Sequence, residues 1–160
     1  MRDWMIYQLI LWLIIANATP LLIARILGSY LAWPLDAGRL LADNRPLFGS
    51  HKTWRGIIVA LSASMLVAPV FGHSLVTGAL FGSLSMLGDL LSSFIKRRLD
   101  CRPGRNCPLL DQLPESVLPL VLLQPVLGSN ALETASAVVA FILIDLLGSR
   151  LLVADQQGCR

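Results

Sequence analysis

Apolar runs dominate this chain and leave it few folds to adopt. Five segments, at about 5–27, 56–72, 74–95, 111–127 and 131–153, consist mostly of aliphatic, aromatic and small residues. A helix needs about 20 such residues, with a lower limit near 17, to cross the hydrocarbon core of a bilayer. Only 14% of the residues are charged, against about 25% in soluble domains. The sequence therefore predicts an all-α integral membrane protein. It forms a single transmembrane domain over residues 1–160, with about five transmembrane helices. In the first segment Thr19-Pro20 should kink the helix rather than end it. The second is close to the lower length limit. The fourth is interrupted by Pro114, Glu115, Pro119, Gln124 and Pro125, and the fifth contains Asp145. The sequence has no internal repeat, low-complexity tract or coiled-coil heptad.

Topology follows from the basic residues. Ala16-Asn17-Ala18 resembles a signal-peptide cleavage site, but Asp3 offsets Arg2 and the apolar run continues past it. This stretch is read as the first helix. The segment after it holds Arg39, Arg45, Lys52 and Arg55, with Arg25 marking the cytoplasmic end of the helix. The segment after the third helix holds Lys96, Arg97, Arg98, Arg102 and Arg105, and the C-terminal end adds Arg150 and Arg160. The opposite side has only Arg2. The positive-inside rule then places the N-terminus outside and the C-terminus in the cytoplasm. Both long loops, at about 34–55 and 96–110, are cytoplasmic as well, which fits a multi-pass protein of the cell membrane. Five spans have the parity this requires. Cys101, Cys107 and Cys159 fall on the reducing side, and the spacing of the first two is not that of a zinc knuckle.

The stretch Gly88-Asp89-Leu90-Leu91-Ser92-Ser93-Phe94-Ile95-Lys96-Arg97-Arg98 carries the strongest chemical signal. At a rise of 1.5 Å per residue, Asp89 lies roughly 10 Å from Lys96 along the axis. That puts a carboxylate below the interface, where a lone charge costs a few kcal/mol or more. Asp89, Ser92, Ser93 and Lys96 share one helical face, and Gly78, Gly82 and Ser85 extend it with small residues that allow close helix approach. A packing-only ion pair would account for Asp89. A carboxylate facing a polar cavity open to the cytoplasm, and holding a divalent metal, accounts for its depth as well. Asp111 returns an acid to the membrane surface, where it can cap the fourth helix or share a magnesium-bound phosphate with Asp89. In the first loop, Gly49-Ser50-His51-Lys52-Thr53-Trp54-Arg55-Gly56 is not a P-loop, because His51 stands where the second glycine belongs and no strand precedes it. It still offers glycines, a lysine and an arginine suited to phosphate, or to anionic headgroups.

Taken together, PLDAGR, HKTWRG, GDLLSSFIKRRL and RPGRNCPLLDQL, in that order, resemble the CDP-archaeol synthase family. These are integral-membrane cytidylyltransferases related to phosphatidate cytidylyltransferases. The resemblance covers about residues 34–113, half the chain. It implies that CTP and a membrane lipid phosphate give a CDP-activated lipid and pyrophosphate, with Mg2+. Archaeal members use archaetidic acid, a glycerol phosphate with two unsaturated isoprenoid ether chains; diacyl phosphatidic acid is the other acceptor left open. Three positions depart from the pattern. Ala37 stands where a second glycine is expected, His51 replaces a frequent glycine, and Pro114-Glu115 follows Asp111-Gln112-Leu113 where another acid usually stands.

The roles expected on this reading are specific. Asp89 and Asp111 hold the metal, and together with Lys52 and Lys96 form the catalytic set. Arg55 and Arg97 join the two lysines in neutralising the triphosphate and the lipid phosphate. Asp36 and Arg39 sit at the cavity mouth, and Ser92 and Ser93 hydrogen-bond phosphate or metal water. A non-catalytic scaffold binding anionic lipid, or a small transporter, would share the intramembrane acid and the basic loops. The scaffold would tolerate Asp89→Asn. The transporter would show repeat symmetry and matching broken helices, which this sequence lacks. No nucleic acid partner is expected, and the small residues of helix three fit either internal packing or dimerisation.

Overall fold

The structure is a computed structural model that describes residues 2–41, 43–99 and 110–157, with side chains within 4–41, 43–99 and 110–148. The three cysteines, the basic run 102–109 and the C-terminal arginines lie outside the described side chains. The chain is all-helical, in the order α1 (Arg2–Leu27), α2 (Trp54–Val67), α3 (Leu75–Arg98), α4 (Gln112–Leu122), α5 (Gln124–Leu127) and α6 (Ala131–Gln157). Four stretches, Trp4–Leu27, Trp54–Phe71, Leu75–Arg98 and Ala131–Gly148, are long and apolar enough to cross a membrane.

Local chemistry sets the helix ends. Thr53 and Ser74 are N-caps that accept from the Gly56 and Thr77 N–H groups, at 3.2 and 3.1 Å. Such a cap satisfies one of the otherwise orphaned donors of a first turn. After α2 the chain tightens into a 3-10 turn over Ala68–Phe71, and Gly72 closes it at φ 79°. At the start of α6, Asn130 and Glu133 each accept the other's backbone N–H at 2.9 Å. This reciprocal cap gives Glu133 a structural role. α1 does not end at Pro20, which lies inside the helix.

The fourth apolar segment, expected to span the membrane over about 111–127, is broken between α4 and α5. Pro119 lies inside α4 and Pro125 inside the single turn of α5. A proline has no N–H to give the carbonyl four residues back, and its ring crowds that carbonyl. The helix stops at Leu122 and resumes for one turn before Gly128 ends it at φ 72°. The broken element still traverses the bundle. Asp111 at its start pairs with Lys96 at the end of α3, while Leu127 at its finish joins Trp12 and Ala68 in the core.

α3 is the central helix, 44% buried over its most apolar window against 17–28% for the other three. Lipid is as apolar as leucine, so helices associate there through close packing rather than hydrophobic exclusion. The small residues of α3 permit that packing. A Cβ on Gly78 would stand 2.6 Å from the Ser64 carbonyl oxygen, and one on Gly82 would stand 3.1 Å from Leu61 Cα. The glycine stripe is therefore used inside the bundle, against α2. Further along α3, a Cβ on Gly88 would come within 2.3 Å of the Pro114 carbonyl oxygen. Here the backbones of α3 and α4 touch. At the other end, Trp12 stacks on Phe81 with centroids 4.4 Å apart, in a cluster with Leu9, Leu13, Leu120 and Phe141.

Candidate functional site

The expected site residues gather where α3, the loop between α1 and α2, and the start of α4 meet. Lys52 donates to both oxygens of Asp89, at 2.5 and 2.6 Å. Lys96, the chain's other lysine, is ion-paired with Asp111. Each pair joins two elements: Lys52 anchors the loop to the middle of α3, and Lys96 anchors the last turn of α3 to the start of α4. All four side chains are partly exposed, between 13% and 31%. Gly88 makes this possible, because it brings α4 against α3 one residue before Asp89. Glu115, one turn into α4, is buried and lies within electrostatic reach of Asp89, Lys52, Asp145 and Asp111. Among the described residues, no group of three or more His, Cys, Asp and Glu side chains is arranged to hold a metal ion.

The loop itself is a built structure. Short pairings at Pro34–Thr53 and Leu40–Pro46 close it at its base and tip. Its centre is Asp36, 6% exposed, which accepts from the N–H groups of Gly38, Phe48 and Gly49 at 3.0, 3.1 and 2.9 Å. Burial alone would raise the Asp36 carboxyl, but the N–H groups of Gly49, Gly38 and Phe48 outweigh it and hold it below its ordinary value. Asp36 also lines a cavity under the loop. Three of its acceptor bonds go to the loop backbone, so it also positions the loop. Arg39 is exposed, and its backbone N–H bonds to the Asp36 carbonyl at 2.8 Å.

Two further expected site residues bond to backbone carbonyls. Arg55 turns away from the ion pairs to the turn that follows α1, donating to the Gly28 carbonyl at 3.2 Å and to the Tyr30 carbonyl. Ser92 is buried and bonds back to the Asp89 carbonyl at 2.8 Å, which commits its hydroxyl proton to the helix. Ser93 is buried on the same helix. Arg97 keeps its place at the site. It lines a cavity of about 280 Å³ under the loop, with Phe48, His51 and Ser50.

Sequence reasoning missed the contacts that hold the loop down. Arg45 reaches the Arg97 and Arg98 carbonyls at the end of α3, at 3.2 and 2.7 Å. Arg98 answers with an ion pair to Asp43 and a 2.8 Å bond to the Pro46 carbonyl. The partners are more than 50 residues apart in sequence, so helical periodicity carries no trace of them. Asp145, unassigned in the sequence, accepts from the Gln112 amide at 2.6 Å and ties α6 to the residue after Asp111.

With this geometry in place, similarity to known proteins decides the family. The family model described as CarS-like, CDP-archaeol synthase, matches residues 3–73 and 69–155. The chain belongs to the CDP-archaeol synthase family. The CDP-archaeol synthase of Thermococcus gammatolerans is 37% identical over 131 residues, covering 72% of this chain and 73% of the relative. That of Thermofilum pendens is 31% identical over 142 residues, covering 84% and 68%. For the Hyperthermus butylicus protein of the same name, identity is 36% over 104 residues, and the match covers 61% of this chain and only 59% of the relative's length. A solved structure of an intramembrane enzyme for archaeal membrane lipid biosynthesis has a TM-score of 0.70 and 32% identity, covering 89% of this chain and 90% of its own. A membrane-embedded member of the CDP-archaeol synthase family thus carries its two lysine–aspartate pairs on the family's sequence segments.

Proposed function

We propose that this chain transfers CMP from CTP to a lipid phosphate of the membrane, giving a CDP-activated lipid and pyrophosphate. The observation that carries this reading is the pairing of both lysines with acids at one end of the bundle, Lys52 with Asp89 and Lys96 with Asp111. The names of the related proteins support an archaetidic-acid-like acceptor over diacyl phosphatidic acid. The arginine-rich loops support a site facing the cytoplasm, with the N-terminus outside.

The chemistry asks little of a general base. The lipid phosphate is already an anion, and one of its oxygens attacks the α-phosphorus of CTP with a lone pair. A bond forms between that oxygen and the α-phosphorus. The bond from the α-phosphorus to the bridging oxygen breaks, and its electrons leave with pyrophosphate. The difficulty is holding several negative charges together, so catalysis rests on positioning and charge neutralisation. Lys52 and Lys96 supply point charges that can pass from their carboxylates to phosphate oxygens. Asp89 and Asp111 aim those lysines, and the Gly88 contact keeps both acids on adjoining helices.

The donor set also fits Mg2+. Carboxylate oxygens are hard ligands, and this ion needs only one or two of them when phosphates complete its shell. Asp89 and Asp111 would hold it, with Glu115 nearby, and it would supply charge stabilisation on the triphosphate.

The test is transfer of α-labelled CMP by detergent-purified protein, offered archaetidic-type and phosphatidic acids, with magnesium present or chelated. Label should enter lipid only with magnesium, and the archaetidic-type acceptor should take more. Failure of folded protein to label either lipid would overturn the reading.

A further inference from the structure

Most acids whose side chains the structure describes have a partner that answers their charge. Asp89 and Asp111 take the two lysines, and Asp43 takes Arg98. Asp36 takes three backbone N–H groups, and Glu133 caps α6. Glu115 and Asp145 are different. Neither has an ion pair among the described residues, and Asp145 receives only the neutral Gln112 amide, at 2.6 Å. Glu115 is buried on α4, within electrostatic reach of Asp145 on α6. Buried charges in proteins are paired or coordinate metal ions, and a carboxylate at membrane depth needs such a partner more than most.

Gln112 adds an independent observation. It is 4% exposed, and its Oε1 is buried without a partner while its Nε2 donates to Asp145. That bond fixes which way the amide points, because a carboxylate accepts and only the NH2 end donates. The unmet oxygen therefore belongs to an amide already seated on Asp145. Gln112 also precedes Glu115 by three residues on α4, so the two share a helical face. A buried acceptor left unmet is costly, and an ion is one of the partners that resolve it.

We propose that Glu115, Asp145 and the Gln112 Oε1 atom form a cation site between α4 and α6, which holds a hard divalent ion in the absence of nucleotide. All three donors are oxygens, the class that Mg2+, Ca2+ and Mn2+ prefer. Two carboxylates balance one divalent charge. Asp145 is exposed, so water can complete the shell, as ions of the Mg2+ type require. Asp89 and Asp111 behave otherwise. Their charges are met by lysines, and they are free for an ion only when phosphates draw those lysines away. The second ion bridges α6 to the first turn of α4, next to Asp111, and steadies the acid that aims Lys96. The inference is independent of the cytidylyl-transfer reading, because the ion binds without nucleotide.

The probe is Mn2+ alone, titrated at pH 7 into nucleotide-free, detergent-purified protein and followed by the EPR signal of the free ion. Wild-type protein should bind one ion per chain, and Asp145→Asn and Glu115→Gln should each weaken binding at least about tenfold. Mn2+ should also raise the unfolding temperature of wild type and leave that of both variants unchanged. Wild-type protein that binds no Mn2+ would overturn the proposal, and would mean that a proton held between Glu115 and Gln112 satisfies the pair. Undiminished binding by both variants would also overturn it, by placing the ion at Asp89 and Asp111. A measurement on unaltered protein covers variants that do not fold. Fe2+ with ascorbate and peroxide cuts a chain beside the bound ion, and the cuts should include residues 143–147 on α6. Cuts confined to residues 88–92 on α3 would contradict the site.

Discussion

At the scale of single residues, the loop between α1 and α2 explains what its unusual positions do. Ala37 adopts φ 47°, beside Gly38 at φ 73°. A Cβ in the left-handed region is strained by about 1–2 kcal/mol, which glycine escapes at some cost in chain entropy. The glycine expected at this position is thus a backbone requirement. Ala37→Gly should raise stability by about 0.5–1 kcal/mol in thermal unfolding of the detergent-solubilised protein, and a fall would contradict this account of the turn. Asp36 gives the loop a pH limit. Its folded carboxyl lies below its ordinary value, so its contribution is complete above the unfolded value of about 3.9 and is lost as pH falls through the lower folded one. Amide exchange at Gly38, Phe48 and Gly49 should show protection that is level from pH 7 to pH 5 and is lost only below pH 4. Asp36→Asn should expose the same amides at neutral pH. Little of this was legible in the sequence. An aspartate followed by Ala-Gly reads as a turn, but Phe48 and Gly49, a dozen residues away, complete its hydrogen bonds.

At the scale of elements, α3 organises the bundle with its small residues. Asp89, Ser92, Ser93 and Lys96 were legible as one stretch because seven residues make two helical turns. Their separate fates were not. Asp89 goes to the loop, Lys96 to α4, and Ser92 back to its own helix. Those partners depend on how α4 approaches, which is set by Gly88, a residue that periodicity treats as neutral. Gly88→Ala would drive a methyl group into the Pro114 carbonyl and part the two helices. The expected cost is about 1–3 kcal/mol in stability, with CMP transfer lowered more than tenfold. Thermal unfolding and the labelled-CMP assay measure the two effects, and wild-type behaviour in both would refute the close approach. The fourth segment shows the reverse case. Its apolar content and its prolines were plain, but not where the helix breaks, which the structure puts between α4 and α5.

On the scale of the whole molecule, the helical membrane architecture could be read at once, because five apolar segments in 160 residues leave no other core. The side of the membrane rests on charge placement, and it has a direct consequence. Cys101 and Cys107 should react with a membrane-impermeant maleimide in inverted membrane vesicles and stay unreactive in right-side-out ones. Labelling in right-side-out vesicles would reverse the topology. The site is where loop, α3 and α4 converge, and its charge-paired centre is the claim on which the rest depends. The most direct test is the rate of CMP transfer by Lys96→Met and Asp111→Asn, each shown by circular dichroism to keep its helices. Each should lose at least about 100-fold in kcat/KM, as removal of transition-state charge stabilisation does elsewhere. Rates within tenfold of wild type in both variants would contradict the account.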